Sequence, residues 1–300
     1  MMGERHPVVV GVDGSVAALG AVSWAAEEAR RRGAPLRLVY AFELPFRYPP
    51  GVVEQDSLRD ALRREKDGYL EAARAQALQT APDLGIEAVT VDGTAVEVLV
   101  RESETAAVVV VATRGHGGFT GLLLGSTSVG LAGRAHCPVV VVRGASDGGP
   151  VVVGVDGTPV GEAAIAFAFE QAAALGTDLV AVHSWTDPAL ANALAAGYLA
   201  VDFGLLEEQA TVVLAERLAG WQEKYPQVRV TRQLVRDHPT RALLHYADRA
   251  RLVVVGSRGR GGFAGLVLGS TSQHLMHHAA CPVAVVRTEA PHGGAGVAPG

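Results

Sequence analysis

Cysteine is scarce in this chain, with two in 300 residues, Cys137 and Cys281. Each stands just before a proline and a valine run, in the same place of its half. They read as two small buried apolar residues rather than a bridge, and a reduced, cytoplasmic setting is the simplest expectation. Lysine is also rare. Lys66 and Lys224 stand alone among 26 basic residues, the rest being arginine, which with the abundant alanine and glycine reads as base-composition bias. The formal net charge is −5 and no basic run is present. Nothing there could neutralise a phosphate backbone, so a nucleic-acid groove is not expected. No apolar run reaches the roughly 20 residues of a membrane span. The opening MMGERHPVVVGVDG does not resemble a secretory signal. No membrane association is expected.

What the chain does have is a repeat of half its length. VVVGVDGS at 8–15 recurs as VVVGVDGT at 151–158, TRGHGGFTGLLLGSTS at 113–128 as SRGRGGFAGLVLGSTS at 257–272, and CPVVVVR at 137–143 as CPVAVVR at 281–287. A displacement of this size is a whole domain, not a solenoid unit. The expected organisation is a first domain over 1–143, a turn-like linker GASDGGP over 144–150, a second domain over 151–287 and a disordered tail over 288–300.

Within each half, apolar runs alternate with amphipathic stretches. Val8–Val12 is continuous and bounded by Asp-Gly, as a buried parallel strand is. Ser15 offers an N-cap for a helix to about Arg32. In the second half Thr158 caps and Pro159 takes the first helical position. Strands are expected at Leu36–Phe42 and Leu179–Trp185, then at Ile86–Val91 and Val228–Val235, Ala107–Ala112 and Leu252–Gly256, and Val139–Val142 and Val283–Val286. Long helices are expected at Glu54–Gln79 and Gly204–Lys224. The fold class is α/β: two doubly wound, Rossmann-like domains, each a parallel sheet with helices on both faces.

After the fourth strand of the second copy the chain reads Gly256-Ser-Arg-Gly259, nine residues, then Gly269-Ser270-Thr271-Ser272. Glycines allow close backbone approach and positive φ. Ser270 can cap the new helix, whose free N–H groups and dipole favour an anion. No lysine follows the glycine, so the loop is not a Walker A loop. Positive charge would come from Arg258, Arg260 or a metal ion. The other half of a nucleotide site lies beyond the carboxyl end of the first strand, where Asp13 and Asp156 stand. A carboxylate there can accept from an adenine amino group or a ribose hydroxyl. The plainer reading makes the glycines tight turns and the aspartates turn residues. Recurrence of both features in both copies weighs against it.

These residues resemble the universal stress protein family in its tandem form. The resemblance rests on Val-Gly-Val-Asp-Gly-Ser/Thr, on Gly-x2-Gly-x9-Gly-Ser and on Cys-Pro-Val, and covers nearly all of both halves. In that family the spaced glycine motif marks the members that bind ATP. The resemblance implies a five-stranded sheet of order 3-2-1-4-5 in each half and pairing of domains through their last strands, as an intramolecular pair with a homodimer beyond it. It implies an adenine nucleotide, ATP with Mg²⁺ as a companion ion. The site in the first half would be built on Asp13, Gly14, Ser15, Ala41, Ala112, Gly115, Gly118, Gly125, Ser126, Thr127 and Ser128. In the second half it would be built on Asp156, Gly157, Thr158, Ser184, Gly256, Arg258, Gly259, Gly262, Gly269, Ser270, Thr271 and Ser272. One departure stands out. Ala112 replaces Gly256 where backbone should approach the ligand, which singles out the first site as the weaker or altered one.

Other signals carry less. His274, His277 and His278 have helical spacing that can hold a metal, but the first copy has Gly130, Gly133 and Arg134 there, so a solvated helix face is expected. His183 takes the place of Tyr40 and reads as packing. Leu190–Leu206 is more apolar than its counterpart and reads as a buried helix rather than a membrane or partner patch. No nucleophile–base pair is placed by spacing. The function expected is that of an ATP-binding stress-response or regulatory protein, with slow ATP hydrolysis at most. A nucleotide-dependent transferase on the same platform and a non-binding dimerisation module are the alternatives.

Overall fold

The computed structural model describes residues 5–43, 55–113, 125–144, 148–185, 203–259 and 268–287. In the first half, strands β1 (Val8–Val12), β2 (Leu36–Phe42), β3 (Ile86–Asp92), β4 (Val108–Ala112) and β5 (Val139–Val142) alternate with helices α1 (Val16–Arg32), α2 (Gln55–Thr80), α3 (Ala95–Glu102) and α4 (Ser126–Arg134). The second half repeats the plan. It has β6 (Val151–Gly154), β7 (Leu179–Ser184), β8 (Val230–Val235), β9 (Leu252–Gly256) and β10 (Val283–Val286). With them run α5 (Glu162–Leu175), α6 (Phe203–Lys224), α7 (Pro239–Ala247) and α8 (Ser270–His278). No helix among the described residues is long and apolar enough to cross a membrane.

The valine runs become strands because β-branched side chains are stiff at χ1 and pack well on a pleated surface. Both faces of these strands are buried. Val8, Val10 and Val12 join one apolar cluster with α1 and α2, whereas Val9 joins the cluster on the opposite face with α3 and α4. Each half is therefore doubly wound, as the alternating pattern implies.

Helix ends follow local chemistry. Ser15 Oγ accepts from Ala18 N at 3.1 Å, and Gly33 closes α1 in the left-handed region at φ 58°. The inner face of α1 is lined with alanine (Ala18, Ala21, Ala25, Ala26, Ala29), all buried. The second half starts its helix differently from the sequence expectation. A 3₁₀ turn over Pro159–Gly161 precedes α5, and Thr158 makes no side-chain cap. Its hydroxyl donates to Asp156 Oδ1 at 2.8 Å instead. The strand expected from Val228 starts at Val230, because Val228 N–H closes a turn onto Tyr225 O at 3.0 Å. Most of the apolar stretch Leu190–Leu206 and all of the tail 288–300 lie outside the described residues.

All ten strands form one sheet of order β3-β2-β1-β4-β5-β10-β9-β6-β7-β8. Each half thus has the order 3-2-1-4-5, parallel throughout. The halves meet where β10 runs antiparallel to β5, with Ala284 opposite Val140. Those two residues hold the same place in the two copies, so a local two-fold relation passes between them. The joint between halves is held tightly. Gly149 sits at φ 93° and a Cβ there would lie 2.1 Å from Arg249 O. Its carbonyl accepts from Thr177 Oγ1 at 2.9 Å.

Candidate functional site

The first strand of each half ends in an aspartate that folds its own turn. Asp13 Oδ1 accepts from Ser15 N at 3.0 Å, and Asp156 Oδ1 accepts from Thr158 N at 2.8 Å. The glycine between them takes positive φ, 83° at Gly14 and 78° at Gly157. This much is the turn-residue reading. The tertiary fold adds a second relation. A Cβ built on Gly259 would lie 3.6 Å from Asp156 Oδ2. The strand-end carboxylate and the glycine loop, far apart in sequence, face each other across a gap one small atom wide.

The loop is closed identically in the two copies. Gly125 N donates to Thr113 O and Gly269 N to Ser257 O, both at 2.8 Å. The N-caps of α4 and α8 are Gly125 and Gly269, with no side-chain cap in either. This corrects the expectation for Ser270, which is the first helical residue and is exposed. A glycine cap contributes no side-chain oxygen, so among the described residues no cap side chain accepts from the first-turn N–H groups of either helix. That is the arrangement that receives an anion at a helix N-terminus. Ser126 is exposed like Ser270, and Thr127 and Thr271 are half-buried beside them. Thr271 Oγ1 lies 3.4 Å from Thr240 Oγ1 at the start of α7.

Some of the expected site residues have other work. Ser128 Oγ donates to Ala112 O at 3.0 Å, and Ser272 Oγ lies 2.9 Å from Gly269 O and 3.4 Å from Ser257 O. Both are buried and tie the helix to the strand end. Ser184 Oγ donates to Asp237 O. Ala41 is half-buried near the end of β2. Arg258 and Gly259 are exposed at the loop's start. Gly115, Gly118 and Gly262 lie outside the described residues.

Ala112 and Gly256 mark where the copies differ. At the next residue they agree again, with Thr113 N donating to Val142 O and Ser257 N to Val286 O. A Cβ on Gly256 would lie 3.0 Å from Arg258 O. An alanine at that place in the second copy would need Arg258 O to give by a few tenths of an ångström.

Two residues beside the turns escaped the sequence reading. Tyr69 of α2 covers Gly14 so closely that a Cβ there would sit 2.7 Å from its ring. In the second half Arg217 of α6 donates from Nε to Gly157 O at 3.1 Å. An open cavity of about 560 Å³ adjoins it between Glu162, Trp221 and Lys224. The two copies carry unlike residues here, so the repeat gave no signal. Helical periodicity placed both only on a helix face.

Of the remaining candidates, His183 packs in the interior and His274 and His278 stand on an exposed helix face. His183 is buried, with Nδ1 2.6 Å from Val155 O. Among the described residues no cluster could hold a metal. His274 Nδ1 lies 3.1 Å from Ser270 O, and the rings of His274, His277 and His278 tilt past one another. Burial, with the charges of His278, Arg143 and His274, pulls the His277 pKa down. Cys137 and Cys281 are free thiols, and burial pushes both up to about 12. Neither serves as a nucleophile at neutral pH.

Two doubly wound halves, each opening a glycine-capped helix at the point where the strand order reverses, define a tandem Rossmann-like protein. Comparison with known proteins gives the family. The model described as Universal stress protein family matches residues 4–143 and again 149–287. The chain is 41% identical over 296 residues to universal stress protein Rv2623 of Mycobacterium tuberculosis, covering 93% of this chain and 96% of that one. It is 39% identical over 300 residues to universal stress protein Rv2005c of the same species, covering 95% and 98%. Among solved structures, a universal stress protein from Archaeoglobus fulgidus matches with a TM-score of 0.67 at 19% identity, covering 94% of this chain and 98% of that one. That last likeness is one of fold. The chain belongs to the universal stress protein family.

Proposed function

We propose that the chain is an ATP-binding regulatory protein of the stress response, with an adenine nucleotide held at the switch point of each half. The observation that carries this reading is the approach of Asp156 Oδ2 to Gly259 beside the glycine-capped start of α8. A carboxylate on one side and a glycine-capped helix start on the other suit the two ends of a nucleotide. Asp13 and Asp156 take the ribose or base, and the first turns of α4 and α8 take phosphate oxygens. Arg258 at the loop and Arg217 at the Gly157 turn give the second half its positive charge without a lysine. Mg²⁺, when bound with the triphosphate, would neutralise its charge, and the exposed Ser126 and Ser270 hydroxyls are the residues placed to meet it.

In this reading ATP hydrolysis is slow at most. The hydroxyls of Ser128 and Ser272 are committed to carbonyls, and the two thiols stay protonated. The output in this reading is a change of conformation or assembly with nucleotide, which requires different affinity in the two states. Mass spectrometry of the small molecules released from the purified chain, with stoichiometry per chain, tests the reading. Adenine nucleotide at one or two per chain is expected. A chain that releases none, and binds none on addition of ATP and Mg²⁺, overturns it.

A further inference from the structure

The two halves touch through a pair of residues that hold the same place in the repeat. Glu28 of α1 and Gln171 of α5 are both almost fully buried, and Gln171 Nε2 donates to Glu28 Oε1 at 2.6 Å. Aligning Ala-Glu-Glu28-Ala with Phe-Glu-Gln171-Ala, and the capping Gly33 with Gly176, shows the equivalence. Like Val140 and Ala284, the pair lies on the local two-fold relation. The arginines around it belong to one half only. Arg31 and Arg32 engage Glu28 at 2.8 and 2.5 Å, and the residues in their places after Gln171 are Ala174 and Leu175. Arg32 also lies over the Phe167 ring at 5.9 Å, across the seam.

A contact on a two-fold relation decides what can pair with what. Between two first halves it would set Glu28 against Glu28. Each carboxylate has its own arginines, but those donate from its own helix. The oxygen turned across the axis would meet another acceptor, with no hydrogen between. Two carboxylates facing each other in one buried site repel, which raises the pKa of one of them. Between two second halves the contact would set Gln171 against Gln171, and two amides can satisfy one another. In the pairing observed, the amide has one orientation, with Nε2 to the carboxylate and Oε1 buried without a partner among the described residues.

We propose that Glu28 and Gln171 form a one-carboxylate key, which makes the first half accept a second-half domain and refuse another copy of itself. The surface around α1 and β5 is then a docking face for a Usp domain that presents an amide at this place. This inference stands apart from the nucleotide reading. It explains how two similar domains with open fifth strands pair within one chain rather than like with like, which is specificity by exclusion of the wrong partner.

The test removes the covalent tether from the folded chain. A protease site placed within 145–147 is cleaved in the native protein. The halves are allowed to exchange at micromolar concentration and neutral pH. Native mass spectrometry then counts the three pairings by mass. The unlike pair is expected to dominate, with the first-half homodimer at least about tenfold rarer than the second-half homodimer, since a shared buried carboxylate pair shifts one pKa by a unit or more. Glu28→Gln is expected to raise the first-half homodimer to the level of the second. Gln171→Glu is expected to abolish the second-half homodimer and weaken the unlike pair. In the intact chain, Gln171→Glu is expected to lower the melting temperature, and adding Glu28→Gln to restore it. First-half homodimers as abundant as second-half ones in the unmodified protein overturn the proposal. So does a Glu28→Gln chain in which their share does not rise.

Discussion

Replacing Gly259 by alanine places a methyl group in the narrow gap between the glycine loop and Asp156. The new Cβ would lie 3.6 Å from Asp156 Oδ2, an ordinary van der Waals contact, with no closer contact among the described residues outside its chain neighbours. Gly259 is not among the glycines at positive φ. The folded chain should therefore accept the change, and a less flexible unfolded state can add about 0.4–1 kcal/mol of stability. A ligand oxygen held between carboxylate and loop would have no such tolerance. Overpacking a formed site costs about 1–3 kcal/mol, which at 1.4 kcal/mol per factor of ten is a loss of roughly 5- to 150-fold in affinity. Calorimetric titration with ATP and Mg²⁺ reads this directly. The second-site affinity should fall within that range while the first site is unchanged. The melting temperature without nucleotide should hold or rise slightly, and the stabilisation by a fixed excess of ATP should shrink in step with affinity. A Gly259→Ala chain with wild-type affinity and stoichiometry would refute the placement of the nucleotide between Asp156 and the loop.

Gly149→Ala should destabilise the whole molecule. Its φ of 93° is strained for alanine and the Cβ would sit 2.1 Å from Arg249 O; a loss of about 2 kcal/mol or more, read by urea unfolding, is expected from the combined strain and clash. Burial alone would raise the Glu28 carboxyl, but the Arg32 and Arg31 charges, with hydrogen bonds from Arg31 and Gln171, hold it below its usual value. The unfolded state then takes up the proton first, so this group's stabilisation is present above about pH 4.5 and drains away as pH falls through the folded pKa. Glu28→Gln should flatten the acid limb of a melting-temperature scan, and an unchanged slope below pH 5 counts against the assignment. Cys137 and Cys281, with thiols pushed up to about 12, should not react with a thiol reagent at pH 8 until the chain unfolds. Rapid labelling of the native protein would contradict this.

Most of the secondary structure is legible in the residues themselves. Valine runs bounded by Asp-Gly gave β1 and β6, because a strand buried on both faces needs no alternation. Ser15 and Gly33 bracket α1 through bonds that span only a few residues. The repeat fixed the domain plan, since two similar halves must fold alike. Local reasoning failed where a side chain had a competing partner. Thr158 offered a cap, but its hydroxyl goes to Asp156, and the turn that follows is 3₁₀. Ser270 offered a cap, but Gly269 holds that position and leaves the helix end open.

The amino-acid sequence by itself determined the tandem plan, the strands, the glycine loop and the strand-end aspartates, because each rests on residue type and short spacing. Only the tertiary structure decided what those pieces meet. Pairing of β5 with β10 depends on two strand edges brought together from opposite halves. The gap between Asp156 and Gly259, the cover of Tyr69 over Gly14 and the Arg217 bond to Gly157 likewise depend on distances across the fold. The seam shows the point most clearly. Glu28 and Gln171 read in sequence as two unremarked polar positions on helix faces. Folding buries both and turns them toward each other, with Gln171 Nε2 donating to Glu28 Oε1 across the seam.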